Sequence, residues 1–304
     1  MSRLLVHLAS GVGNIVLATP LLQVLARAGH EVDLLVDGDY GDTAGLFAAW
    51  GSLRAVHTGG LSALLRGGGY DRVIPAIPPF YWPRYARLYA HQRNLVPRPP
   101  NTAFYADEQA YYLSFARSLN CAVQAAPSCF LPVAPDTRQG IGPHTVVLAP
   151  GCKTGEMAAK RWPYFPELAQ RFAHVAVVGT PDDLFRHDGS AMHFPDHART
   201  FIGQRSLTET AALLAAAGTV VANDSGLGHI AAAVGVPTLL LFGPTPHVTL
   251  GAMADNVTVL RAGLSCEPCW FRSRLAACRQ RVDCLHHLSV DTVAAAVTAL
   301  LEGA

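Results

Sequence analysis

Val221-Ala222-Asn223-Asp224-Ser225-Gly226-Leu227-Gly228-His229-Ile230-Ala231-Ala232-Ala233 is the stretch on which the reading of the fold turns. An apolar strand runs out at about Ala222, small polar residues follow at once, and a helix opens near Gly226. The first amides of such a helix have no intrahelical partners, and the helix dipole adds partial positive charge there. A diphosphate fits that place, and Gly226 and Gly228 would let it approach the backbone closely. The alternative is that Asp224 or Ser225 only caps the helix. His229, one turn in, either reaches the same mouth or fills a structural role.

Working outward, the chain repeats the unit strand, loop, helix. Before this stretch come strands at Thr145–Ala149 and Val175–Gly179 and helices at Pro163–Phe172 and Thr208–Ala217. After it come a strand at Thr238–Phe242, the loop Gly243-Pro244-Thr245, and a last helix, Val290–Leu301, that Ser289 can cap. The first half shows strands at Leu4–Leu8, Val32–Val36 and Arg72–Ile74, a helix to about Arg27 and another over Ala103–Asn120. Seven prolines break the pattern between Pro75 and Pro100, and the proline-rich stretch Pro127 to Pro143 reads as a linker. The expected architecture is α/β, with two facing Rossmann-like domains, residues 1–138 and 139–304, each with a parallel sheet. Ligands of open parallel sheets bind beyond the carboxyl ends of the strands, so a cleft between the domains is expected to hold the site.

The size of 304 residues suits two such cores, and a formal charge of +1 argues against nucleic acid as the main partner. The apolar start, Leu4 to Leu25, is interrupted by His7, Ser10, Asn14 and Pro20 and lacks the basic region and cleavage site of a secretory leader. A cytoplasmic protein is expected. Clusters such as Arg84, Arg87, Arg93 and Arg98 among Phe80, Tyr81, Trp82, Tyr85 and Tyr89, and Arg272, Arg274, Arg279 and Arg281 further on, are either ordinary surface or contacts to an anionic acceptor or a membrane.

Two further loops lie at the expected ligand edge. Lys153, Thr154, Lys160 and Arg161 occupy a glycine-containing loop after the strand Thr145–Ala149, where the cations could neutralise phosphate oxygens and a leaving nucleotide. It is not a Walker A loop. Asp182 and Asp183 follow Val175–Gly179, where a carboxylate could accept from ribose hydroxyls or cap a helix. The amino-terminal turn Gly11-Val12-Gly13-Asn14-Ile15-Val16 lacks the third glycine of a dinucleotide fingerprint.

Of the seven cysteines, Cys121, Cys129 and Cys152 are scattered, whereas Cys266, Cys269, Cys278 and Cys284 form C-x2-C-x8-C-x5-C. Four thiolates in so short a segment suit a tetrahedral structural site for zinc or iron. The alternative is free thiols or disulfides.

The turn from Gly11 to Asn14 through Thr19-Pro20, the block Lys160-Arg161-Trp162-Pro163, the block Asn223 to His229 and the block Phe242-Gly243-Pro244-Thr245 resemble glycosyltransferase family 9, the ADP-heptose:lipopolysaccharide heptosyltransferases. The resemblance implies a GT-B fold, with the acceptor held mainly by the first domain, the nucleotide sugar by the second, and the final helix packing back toward the first. It implies an inverting transfer with no catalytic metal. By position, Lys160 matches the family's phosphate-contacting lysine, Asp224, Ser225, Gly226 and Leu227 its donor-binding turn, His229 its histidine, and Asp182 or Asp183 an acidic position near the donor ribose. Lys153 and Thr154 join this donor set, and Asn14, Lys160 and His229 form the catalytic set.

The cysteine loop, residues 266–284, is similar to the iron-binding motif of bacterial autotransporter heptosyltransferases. At position 14 many members carry the aspartate proposed as general base. Asn14 has no useful basicity, which leaves Asp37, Asp39, Asp107 and His91 as other candidates. The expected partners are ADP-heptose and a glycan, protein or small-molecule acceptor, at the inner membrane if peripheral contact occurs. The alternatives are a nucleotide-sugar epimerase and a non-catalytic nucleotide-sugar-binding subunit.

Overall fold

The structure is a computed structural model that describes all residues except 37–40, 124–126, 154, 251–253, 271–277, 279–282 and 304, together with the side chains of 155, 156, 250 and 283. Thr154, Asp37, Asp39, Arg272, Arg274, Arg279 and Arg281 therefore lie outside the described residues. The chain divides into two compact units, Met1–Pro132 and Val133–Ala304. Each is built on an all-parallel sheet, as the α/β, GT-B reading expects.

The first unit holds β1 (Arg3–Leu8), β2 (Glu31–Val36), β3 (Leu53–Thr58) and β4 (Arg72–Ala76) in the order β3-β2-β1-β4. In β1 and β2 all but the first residue are buried, the continuous apolar pattern of a sheet covered on both faces. The edge strand β3 escapes the sequence reading because it is only half buried, with Arg54 and Thr58 exposed, and has no clean alternation. The first helix is two helices, Val12–Leu17 and Thr19–Arg27, because Pro20 can start a helix but cannot continue one. The expected helix Ala103–Asn120 is also two, Asn101–Ala106 and Glu108–Ser118. It breaks where Asp107 adopts extended angles and accepts a bond from the Ala110 amide at 2.8 Å.

The second unit holds β5 (Val146–Ala149), β6 (Val175–Val177), β7 (Arg199–Thr200), β8 (Thr219–Asn223), β9 (Thr238–Leu241) and β10 (Val257–Leu260), ordered β10-β9-β8-β5-β6-β7. The strands missed from sequence, β7 and β10, are the two edges, one of them only two residues long. Trp162 and Phe165 are fully buried in this unit's core beside Leu168, Cys269 and Cys284. Truncating such an aromatic costs about 3–5 kcal/mol. The final helix, Val290–Glu302, is capped by Ser289, which accepts from the Thr292 amide, and it sends Val293 and Val297, one turn apart, into the same core. Among the described residues no helix is long and apolar enough to cross a membrane.

Both sheets change winding direction once. In the first, β2 and β3 build outward on one side of β1 and the chain returns to place β4 on the other. In the second, β6 and β7 build outward from β5, and β8, β9 and β10 build the other way. At such a switch point the loops leave adjacent carboxyl ends in opposite directions and open a crevice. The two crevices to inspect lie between β1 and β4 and between β5 and β8.

Candidate active site

Between β5 and β8 the chemistry starts from Asn223, the last residue of β8 and fully buried. Its side-chain oxygen accepts from the Trp162 amide at 2.9 Å, and its amide nitrogen donates to the Pro150 carbonyl at 2.6 Å. One amide thus ties the end of β8 to both ends of the loop after β5. That tie brings Lys160 across to the next residue, Asp224. The Lys160 Nζ donates to the Asp224 carbonyl at 2.6 Å and to its carboxylate Oδ2 at 3.0 Å. On the other side, His229 Nε2 lies 3.4 Å from Asp224 Oδ1. The lysine, aspartate and histidine side chains are 13%, 4% and 5% exposed, so the contacts form in a low-dielectric setting.

Burial by itself would raise the Asp224 carboxyl. The Lys160 ammonium, followed by His229 and the Thr245 hydroxyl, outweighs it and holds the group well below the usual carboxylate range. Asp224 is therefore a fixed anion whose bonds go to a cation and a histidine.

It is not a helix cap. Ser225 takes the cap position of the helix Gly226–Ala233 with extended angles, and its side chain makes no cap bond. Ser225, Gly226 and Leu227 are only partly buried. The first amides of that turn follow directly on Asp224, which holds the Lys160 ammonium. Gly228 corrects one detail. A Cβ there would meet Leu240 Cδ2 at 2.6 Å and the Ala222 Cβ and Asn223 carbonyl at 3.1 Å. Gly228 thus lets the helix lie close on the sheet and faces away from the mouth.

Arg161 is a second correction. Its guanidinium is buried and donates to the carbonyls of Asp182 and Phe185 at 2.9 and 2.7 Å, with Cys152 O at 3.4 Å and Asp183 Oδ1 at 3.8 Å. It ties the loop after β5 to the loop after β6 and is not directed at a phosphate. Asp183 likewise serves the loop. Its Oδ2 accepts from the Thr180 amide and hydroxyl at 2.8 and 3.0 Å in a capping box. The loop after β5 approaches so closely that a Cβ on Gly151 would fall 2.1 Å from the Asp183 carboxyl carbon. Asp182 and Lys153 are exposed at the same edge.

At the other crevice, Asn14 sits partly exposed in the helix Val12–Leu17 that follows β1. Its Oδ1 accepts from Ser10 Oγ at 2.7 Å, and its Nδ2 donates to Glu108 Oε1 at 2.7 Å. The same Glu108 oxygen accepts from the Tyr112 hydroxyl at 3.0 Å, and Glu108 is 0% exposed. Sequence reasoning missed Glu108. Its one signal is an acid set in an aromatic helical stretch, Phe104 to Tyr112. Of the other candidate bases, Asp107 is spent as a cap and His91 is exposed.

In the cysteine loop, Cys269 and Cys284 are buried, Cys278 partly buried and Cys266 exposed. The Cys269 and Trp270 amides both donate to the Pro244 carbonyl, at 2.9 and 2.8 Å, which anchors the loop beside the Asp224 turn. Burial pushes the Cys284 thiol up to about 12, helped by negative charge on Glu267, Cys278 and Cys269. Burial and then Cys278 and Cys266 raise Cys269. Among the described residues no group of three or more His, Cys, Asp or Glu is gathered closely enough to hold a metal.

Residues 94–278 match the model of glycosyltransferase family 9 (heptosyltransferase). The chain belongs to this family. Lipooligosaccharide heptosyltransferase 2 of Haemophilus influenzae is 35% identical over 123 residues, 37% of this chain and 35% of that protein, so the match spans about a third of the relative's length. The solved ADP-heptose lipopolysaccharide heptosyltransferase II of Escherichia coli superposes with a TM-score of 0.73 at 21% identity over 99% of both chains. The iron-containing dodecameric glycosyltransferase TibC of enterotoxigenic E. coli superposes at 0.67 and 15% identity, over all of this chain and 79% of that one. Both structural likenesses show the fold.

Proposed function

We propose that this family 9 member transfers a heptose, with inversion, from ADP-heptose to a hydroxyl of a lipopolysaccharide core. One observation carries the reading: a buried Lys160–Asp224–His229 constellation stands beside an uncapped helix start at a topological switch point. The names of the E. coli and Haemophilus relatives support the choice of heptose and of a lipopolysaccharide-type acceptor.

The acceptor oxygen attacks the anomeric carbon opposite the diphosphate. The new C–O bond forms, the bond from carbon to phosphate oxygen breaks, and its electron pair leaves with ADP. The hydroxyl proton passes to water. Within the described residues Lys160 spends two of its three donors on Asp224, leaving one for a phosphate oxygen. That ammonium and the amides of Ser225 to Leu227 face charge that grows as ADP departs, and donors set in advance stabilise the transition state most. Asp224 and His229 hold the lysine in position. Lys153 and Asp182, exposed at the same edge, add contacts to the diphosphate and the ribose. No catalytic metal enters this scheme.

Mass spectrometry of donor consumption tests it, with ADP-heptose and UDP-, GDP- and dTDP-sugars, with and without heptose-deficient lipopolysaccharide. The expected result is loss of ADP-heptose with one heptose mass gained by the acceptor. A changed sugar without acceptor would mark an epimerase instead, and bound but unconsumed donor a binding subunit. Retention of configuration in the product would remove the inverting step.

Cys266, Cys269, Cys278 and Cys284 would hold a structural iron or zinc, which would staple the loop anchored on Pro244. The spacing C-x2-C-x8-C-x5-C supports this, as does the iron-containing TibC. Metal analysis of the purified protein should find about one equivalent, lost in Cys269→Ser; unchanged metal content in that variant refutes the site. Work at the cytoplasmic face of the inner membrane, through peripheral contact, completes the proposal.

A further inference from the structure

We propose that Glu108 is a positioning residue for Asn14, supplying from behind it the negative charge that an amide at the first switch point lacks. This rests on the reading of the chain as a glycosyltransferase whose acceptor hydroxyl meets the turn after β1.

The geometry begins with an ambiguity that Glu108 removes. An asparagine amide can face either way, because one end donates and the other accepts, and the Ser10 hydroxyl could satisfy either end by turning. A carboxylate only accepts. Glu108 Oε1, 2.7 Å away, therefore fixes Nδ2 toward itself and Oδ1 toward Ser10. Oδ1 has a second lone pair, and Asn14 is partly exposed. An acceptor hydroxyl can donate to that oxygen. The Glu108 charge polarises the amide between them and favours the positive charge that develops on the attacking oxygen.

The helix start and two bonds favour the charged form of Glu108. Glu108 is the first residue of the helix Glu108–Ser118, where the helix dipole favours an anion, and Asp107 caps the same turn. The Tyr112 hydroxyl gives a second bond at 3.0 Å. Titratable groups near the carboxylate include its neighbour Asp107, Tyr111 and Tyr112 on its own helix, and Cys129 from the following segment. From the turn after β1, Asn14 bonds it directly and Ser10 bonds Asn14 in turn. A fully buried acid is expensive in a core, and this one touches the side chain that the sequence places at the acceptor crevice.

Two measurements on the full chain decide the proposal. The first needs no turnover. Asn14→Asp puts two carboxyls within hydrogen-bond distance, and such a pair keeps one proton through neutral pH. The folded state then binds more protons than the unfolded one, so the Tm of Asn14→Asp should fall relative to wild type between about pH 5 and about pH 8. Adding Glu108→Gln should abolish that fall. An Asn14→Asp variant that tracks wild type across this range overturns the proposal.

The second measures ADP release from ADP-heptose with heptose-deficient lipopolysaccharide, and donor Kd by calorimetry. Glu108→Gln should lower kcat on the order of 100-fold with donor Kd unchanged, and Asn14→Asp in that background should recover at least about tenfold. Wild-type kcat in Glu108→Gln, or no recovery in the double variant, overturns it. If Glu108→Gln does not fold, the Tm of Asn14→Asp still decides. If wild type releases no ADP, the donor reading fails, and the pH dependence of Tm still decides the Glu108 pairing.

Discussion

The two switch points solve opposite electrostatic problems with similar means. In the proposed reaction a cation between β5 and β8 faces a diphosphate, and the fold sets Lys160 against a buried anion, Asp224, with His229 on that anion's far side. In the same proposal a hydroxyl between β1 and β4 is made to attack. There the fold sets the neutral Asn14 against a buried carboxyl, Glu108, with the Tyr112 hydroxyl behind. In each case the residue nearest the proposed ligand is partly exposed and the charge that tunes it is buried one residue back. The difference is the sign of what is presented: a charged donor at the phosphate side, a polarised acceptor at the hydroxyl side. A site of this kind is specified by buried partners more than by the exposed side chains.

The largest expected effect comes from removing the buried anion of the second unit. Asp224→Ala leaves the Lys160 ammonium largely buried and uncompensated, which should cost about 3–5 kcal/mol of stability and abolish measurable donor binding. Chemical denaturation and calorimetry read both. The pH dependence has a definite sign. The Asp224 carboxyl is depressed in the folded state, so its stabilisation is complete above the unfolded carboxylate range and is lost as pH falls toward the folded value. The Tm gap between wild type and Asp224→Asn should therefore shrink as pH drops from about 5 to about 2. A gap independent of pH would mean that Asp224 acts by packing alone, and the comparison of the two anions would collapse.

Lys160→Met should come next. It keeps the stem and removes the ammonium, so kcat should fall about 100- to 1000-fold, as when a transition-state donor is removed. Loss of donor affinity with unchanged kcat would instead make Lys160 a ground-state contact.

How far the sequence foretold this is itself uneven between the two units. The turn Asn223 to Gly226 was legible because a strand end, small polar residues and a helix start fall consecutively in the chain. The Lys160 assignment came through family resemblance, and the Asn223 bonds explain how a residue 64 positions away reaches Asp224. Glu108 had no such route. Its partner Asn14 is 94 residues distant, and no spacing rule joins a turn to a helix across that separation. Arg161 misled for a related reason: a cation in a glycine-containing loop looks the same in sequence whether it faces a phosphate or three carbonyls. The edges β3, β7 and β10 were invisible because edge strands are short or half exposed and lack the continuous apolar pattern of β1 and β8.

Gly228 offers a smaller test of whether the second crevice depends on packing or on close ligand approach. Gly228→Ala forces a methyl against Leu240, Ala222 and the Asn223 carbonyl, so it should destabilise the protein by about 1–3 kcal/mol. Donor Kd, measured where the variant is still folded, should change little. A normal Tm with lost donor binding would return Gly228 to the mouth of the site.

The smallest effect should come from Lys153→Ala. Lys153 is exposed, whereas the Lys160 side chain is only 13% exposed, and the two lysines would act on the same diphosphate from different dielectric settings. An exposed charge contributes at most about 1 kcal/mol and is screened by salt. Lys153→Ala should thus weaken donor binding about two- to fivefold at low ionic strength and hardly at all near 0.5 M salt, roughly what a Debye length of a few ångströms implies. The Lys160→Met loss should persist at both. If the two variants showed the same salt dependence, burial would not be what separates them, and the strength assigned to the Lys160–Asp224 pair would have to come from elsewhere in the turn.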